Sequence, residues 1–97
     1  MQDPRAAIDA AGHGAGILHR TGHSLSPGPR VHGLGANLDD LETHDDRTLA
    51  PGTAFTIEPG VYYPDFGVRL ECDVHWHPER GPLVTTPLQD ELTLLGV

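Results

Sequence analysis

The sequence predicts an α+β fold, mostly antiparallel sheet with one short N-terminal helix. Three observations predict it. Residues 68–76 alternate without a break: Val68, Leu70, Cys72, Val74 and Trp76 face one way, and Arg69, Glu71, Asp73 and His75 the other, as a half-buried strand requires. Residues 54–58 form a second strand, with Phe55 and Ile57 on its apolar face, Thr56 and Glu58 on its polar face, and Pro59-Gly60 closing it. Asp3 followed by Pro4 reads as an N-cap and first helical position.

Taken in order, residues 4–11 are compatible with a helix that Gly12 stops. Such a helix is too short to stand alone in water and needs a surface to pack on. His19 and His23 are four apart, but Thr21-Gly22 between them argues for a turn or irregular segment. Residues 24–35 are punctuated by Pro27, Gly28, Pro29, Gly33 and Gly35 and read as a loop. The acidic stretch 37–47 reads as a loop or a single helical turn. Val61, Tyr62 and Tyr63 extend as strand before a turn at residues 64–67. A turn at 78–82 leads to a short strand at 83–86, and residues 88–95 fit either a last strand or a helical turn.

The chain has 97 residues, 37% of them hydrophobic and 5% aromatic, with 12 Gly and 9 Pro. That allows one small domain with a thin core, 1–97, marginally stable unless a metal, a partner chain or a further segment contributes. The formal charge is −8 and every basic residue is an Arg. No basic stripe exists, which excludes nucleic acid and an anionic membrane surface as expected partners. No apolar stretch approaches the roughly 18 residues of a membrane span. No basic region followed by an apolar run marks a signal peptide, so the expected location is cytoplasmic. Cys72 is the only cysteine, so no intrachain disulfide forms. On the apolar face of its strand it acts as a small hydrophobe.

The chemistry is suggested by the histidines and by the strand polar faces. Seven His in so short a chain point to metal or acid–base work, although His44, His75 and His77 also fit ordinary surface positions. A polar face with one Arg and two acids is usually the solvated side of a sheet. If the two strands share a sheet, however, Glu58 and Glu71 lie on one face, and such carboxylates repel unless a proton or cation sits between them. Adding His23 gives a hard N/O donor set that suits Mn, Fe, Co or Zn.

The run His19-Arg20-Thr21-Gly22-His23, then Val31-His32, then Phe55-Thr56-Ile57-Glu58-Pro59-Gly60-Val61-Tyr62, then Gly67-Val68-Arg69-Leu70-Glu71 resembles the C-terminal half of the pita-bread metallopeptidases. Within them it is most similar to the prolidase and aminopeptidase P branch. Either strand motif alone is weak; both, in order after the His-rich run, are specific. The resemblance implies a curved, mostly antiparallel sheet. It implies His23, Glu58 and Glu71 as metal ligands, with Glu71 bridging two ions and Glu58 also taking a proton from bound water. It implies His32 as a catalytic and substrate-binding group, His19 as a lining of the substrate pocket, and Arg69 as an orienting or substrate-binding group. The implied cofactor is a divalent metal, Mn first, with Co, Zn or Fe as alternatives. The implied substrate is a peptide with proline at the second position.

The chain departs from that pattern. The family's two further Asp ligands precede the His-rich run, and before His23 the only acids are Asp3 and Asp9, spaced unlike a strand-borne pair. Three of the five implied donors are therefore present. Gly33 follows His32 where an acid is common, and Cys72 follows Glu71 where an Asp is usual. The expectation is a part of a Xaa-Pro metallopeptidase that is inactive as an isolated chain. The alternatives are a non-catalytic binding or assembly module that retains the fold, and a site completed by a second copy or by a separate N-terminal half.

Overall fold

The computed structural model describes residues 3–96. It contains one helix, α1 (Pro4–Ala10), a 3-10 turn (Gly14–Gly16), and five strands: β1 (Ala54–Ile57), β2 (Gly60–Tyr63), β3 (Phe66–Arg69), β4 (Cys72–His77) and β5 (Gly81–Val84). Strands β1, β4 and β5 form one antiparallel sheet in the order β1-β4-β5, and β2 pairs with β3 in a separate hairpin. The fold is α+β with sheet predominating, as the sequence predicts.

The helix begins and ends for the reasons read from its sequence. The Asp3 carboxylate accepts the Arg5 N–H at 3.0 Å, and Pro4 takes a position whose N–H has no helical partner. At the other end Gly12, at φ +89°, lets His13 N–H reach Ile8 C=O and Gly12 N–H reach Asp9 C=O, a left-handed cap that suits glycine. No residue of α1 is buried.

The unbroken strand expected at 68–76 is corrected: it is two strands, β3 and β4, interrupted at Leu70 and Glu71. The cause lies across the sheet. Ile57 pairs with Cys72 and Gly60 with Arg69, so one register runs through the break and sets Pro59 opposite Leu70. Leu70 N–H donates to Pro59 C=O at 3.3 Å, but Pro59 has no N–H to return the bond. The ladder opens there on both arms. Val68 and Leu70, expected on the apolar face, are exposed. Below the break that face is covered: Phe55 is 3% exposed and its register partner Val74 is 2% exposed.

The last strand starts earlier than expected, at Gly81 rather than residue 83. Gly81 at φ +77° makes the turn, and Pro82 is tolerated because β5 is an edge strand. Thr85 and Thr86 are not strand but hold Asp73, through Thr85 N–H to Asp73 C=O at 2.9 Å and Asp73 N–H to the Thr86 hydroxyl at 3.0 Å. Residues 88–95 form neither a strand nor a helix.

The free edge of β1 is lined by residues 21–25. Glu58 N–H donates to Thr21 C=O, Thr56 N–H to His23 C=O, and Leu25 N–H to Ala54 C=O, at 2.7–2.8 Å. These three bonds share one register, so the segment read as irregular runs as an extended antiparallel neighbour of β1. Its tail folds back on itself, with Leu25 bridging to His32 and Gly33 N–H donating to Ser24 C=O.

The acidic stretch 37–47 contributes acceptors rather than an element. Asp39 accepts both the N–H and the hydroxyl of Thr21, and Glu42 accepts the Arg20 N–H. Arg47 donates to the carbonyls of Leu34 and Gly35 and to both oxygens of Asp45. The Arg47 guanidinium, helped by the Asn37 N–H, holds the Asp45 carboxyl well below the usual carboxylate range. No helix among the described residues is long and apolar enough to cross a membrane.

Candidate metal and substrate site

Register alone assembles the site. In antiparallel pairing, directly opposed residues share a face. His23 lies opposite Thr56, Glu58 follows Thr56 by two, and the register through the break sets Glu71 opposite Glu58. His23, Thr56, Glu58 and Glu71 therefore stand on one face of the sheet.

The side chains refine this. His23 is buried, and its Nε2 lies 3.3 Å from Glu58 Oε1, with the Glu58 side chain only 12% exposed. His23 Nδ1 is 2.8 Å from the Ser24 carbonyl oxygen. A carbonyl oxygen only accepts, so Nδ1 carries the proton. In the neutral ring Nε2 then presents a lone pair to a carboxylate. Two acceptors face each other, and a proton or a cation between them resolves the clash. Tying one imidazole nitrogen to a carbonyl also fixes a metal-binding histidine in the needed tautomer.

The other implied residues are distributed as follows. Arg69 Nη1 lies 3.7 Å from Glu58 Oε2 and is half exposed, a weak, screened attraction. The His32 ring centroid lies 4.1 Å from that of His23, tilted by 42°. His19 stands on the Glu-Pro-Gly side, its Nδ1 donating to Arg20 C=O and its Nε2 accepting from the Tyr62 hydroxyl, both at 2.7 Å. A Cβ on Gly60 would sit 2.9 Å from that Nε2, so glycine at this position makes room for the pair. Glu71 is exposed. Among the described residues no group of three or more His, Cys, Asp or Glu gathers as a metal cluster.

The donor chemistry nevertheless fits a hard divalent cation along one edge: one imidazole lone pair and one carboxylate in contact, with a second carboxylate across the strand pair. Cys72 does not compete as a soft ligand. Burial, with the charges of Asp73 and Glu71, pushes its thiol pKa up and keeps it protonated.

Two residues were missed in the sequence. Thr56, on the polar face of its strand, is 2% exposed; its hydroxyl accepts the His23 N–H at 3.0 Å and donates to Glu58 Oε1 at 3.2 Å. A β-branched residue between Phe55 and Ile57 was the available signal. Tyr62, the partner of His19, had none, because the pair spans 43 positions.

Comparison with known proteins identifies the family. Residues 2–78 match the model of metallopeptidase family M24. The chain is 40% identical over 72 residues to a Xaa-Pro dipeptidase of Lactobacillus delbrueckii subsp. lactis, covering 72% of this chain and 18% of that protein. It is 37% identical over 92 residues to YkvY of Bacillus subtilis (strain 168), covering 94% of this chain and 23% of that protein. Among solved structures, a Xaa-Pro dipeptidase from Bacillus anthracis superposes with a TM-score of 0.75 at 36% identity, over 94% of this chain and 24% of that one. A dipeptidase from Pyrococcus horikoshii OT3 gives 0.74 at 37% identity, over 91% and 23%. The chain thus spans about a fifth to a quarter of the length of these relatives, within their pita-bread fold. It belongs to metallopeptidase family M24.

Proposed function

We propose that this chain carries the imidazole-and-carboxylate side of a divalent-metal centre in a peptidase that cleaves the bond before proline. The contact between His23 Nε2 and Glu58 Oε1 carries the reading, because His23 Nδ1 is already committed to Ser24 C=O. His23, Glu58 and Glu71 would hold the metal, with Mn preferred among the hard divalent ions. When bound, such an ion supplies Lewis acidity and a water of lowered pKa. Glu58 is placed to take a proton, since Arg69 approaches only its Oε2. His32, its ring beside that of His23, is the proton donor or substrate contact at the site rim. His19, held by Tyr62, orients a pocket wall.

The substrate class rests on the names of the relatives, Xaa-Pro dipeptidases among them. Three donors leave coordination positions open, so the remaining ligands come from chain outside these 97 residues, a separate N-terminal half or a second copy. A non-catalytic module remains the second reading, favoured by the absence of a three-donor cluster among the described residues.

Calorimetric titration of the metal-free chain with Mn²⁺ separates the two. The expected result is one weakly bound ion, with affinity reduced by about tenfold or more in Glu58→Gln, as for loss of a direct ligand worth at least 1.4 kcal/mol. Absence of Mn²⁺ binding to the wild-type chain would favour the non-catalytic module.

A further inference from the structure

We infer that Thr56 is a positioning residue, whose hydroxyl aims the Glu58 carboxylate at the His23 imidazole. The hydroxyl has one proton and two lone pairs. His23 N–H donates to Thr56 Oγ1 at 3.0 Å, so the hydroxyl proton is free to point elsewhere, and Glu58 Oε1 lies 3.2 Å away. Oε1 is also the oxygen that approaches His23 Nε2. The hydroxyl therefore joins the backbone of one donor residue to the side chain of the other and selects which Glu58 oxygen faces the ring. Thr56 is 2% exposed, so water does not replace it. Its own backbone N–H is bonded to His23 C=O, which fixes the distance between the two strands. Arg69, at 3.7 Å from Oε2 and half exposed, cannot by itself hold the carboxylate.

The inference deepens the proposed metal site and rests on it for its purpose, but its geometry is testable without any metal. Three-bond side-chain couplings in the metal-free chain report the Glu58 rotamer. The wild type and Thr56→Ser, which keeps the hydroxyl, are expected to show one Glu58 rotamer. Thr56→Val, which keeps the shape and loses the hydroxyl, is expected to show averaged couplings at Glu58 while the amide shifts of β4 and β5 stay in place. One fixed Glu58 rotamer in folded Thr56→Val would overturn the inference. Should Thr56→Val not fold, the wild type decides. A Thr56 hydroxyl proton that exchanges slowly and gives a cross-peak to the Glu58 side chain supports the bond. A hydroxyl proton exchanging as fast as that of exposed Thr48 overturns it. Lack of Mn²⁺ binding in a chain with an ordered Glu58 would count against the metal reading alone.

Discussion

Gly22→Ala is expected to lower the thermal midpoint by roughly 12–24 °C. A Cβ at Gly22 would run into the Thr56 carbonyl oxygen and approach Leu38 Cδ1 to 2.6 Å. The obstruction is mainly backbone, which cannot rotate away as a flexible side-chain end does. Overpacking costs about 1–3 kcal/mol where side chains can adjust, and here the upper end applies. For a domain of this size each kcal/mol moves the midpoint by about 4–8 °C. The displaced segment would carry His23 with it, since Gly22 lies beside it on the edge of β1. Gly28→Ala is the control: its Cβ would meet only Ser26 Oγ at 3.6 Å, an ordinary contact. Thermal unfolding followed by circular dichroism checks both. A Gly22→Ala midpoint equal to that of Gly28→Ala would mean that residues 21–25 do not pair with β1.

Phe55→Ala is expected to leave no more than about 2 kcal/mol of stability at 25 °C. Buried Phe→Ala changes cost about 3–5 kcal/mol. A domain of this length at the lower limit of stability per residue has about 5 kcal/mol in all. Among the described residues the buried apolar side chains are Ala36, Phe55 and Val74, so little remains once the ring is gone. Phe55→Leu keeps much of the volume and is expected to fold, with a loss nearer 1 kcal/mol. Urea unfolding distinguishes them: the midpoint falls towards zero urea for Phe55→Ala and by a smaller amount for Phe55→Leu. A wild-type urea midpoint in Phe55→Ala would place the stabilising core elsewhere.

These two positions also show what the sequence disclosed. Phe55 was legible because period-two alternation is local, and so were the Asp3 cap and the Gly12 stop. The pairing of Glu58 with Glu71 followed from the same periodicity once the strands were assumed to share a sheet. The break at Leu70 was not legible. Its cause, the missing N–H of Pro59, acts across the ladder on a residue eleven positions away. The extended run at 21–25 was hidden because Thr21-Gly22 signals a turn, whereas here glycine serves close strand approach. The role of Thr56 was not legible because alternation tells which side a residue faces and not what it meets there; its partner, the His23 N–H, lies 33 positions away. The ligand roles of His23, Glu58 and Glu71 came from the family resemblance, and register puts them on one face. Only His23 and Glu58 touch.

Mn²⁺ broadening of proton–carbon spectra would test the proposed centre most directly, because a paramagnetic ion reports its own location. Substoichiometric Mn²⁺ is expected to erase the His23 ring and the Glu58 and Glu71 side-chain signals first, followed by His32, and to broaden the acidic stretch 39–46 only later. Broadening centred on Asp39, Asp40, Asp45 and Asp46, with His23 and Glu58 unaffected, would contradict it and reduce metal binding to attraction by a negatively charged loop.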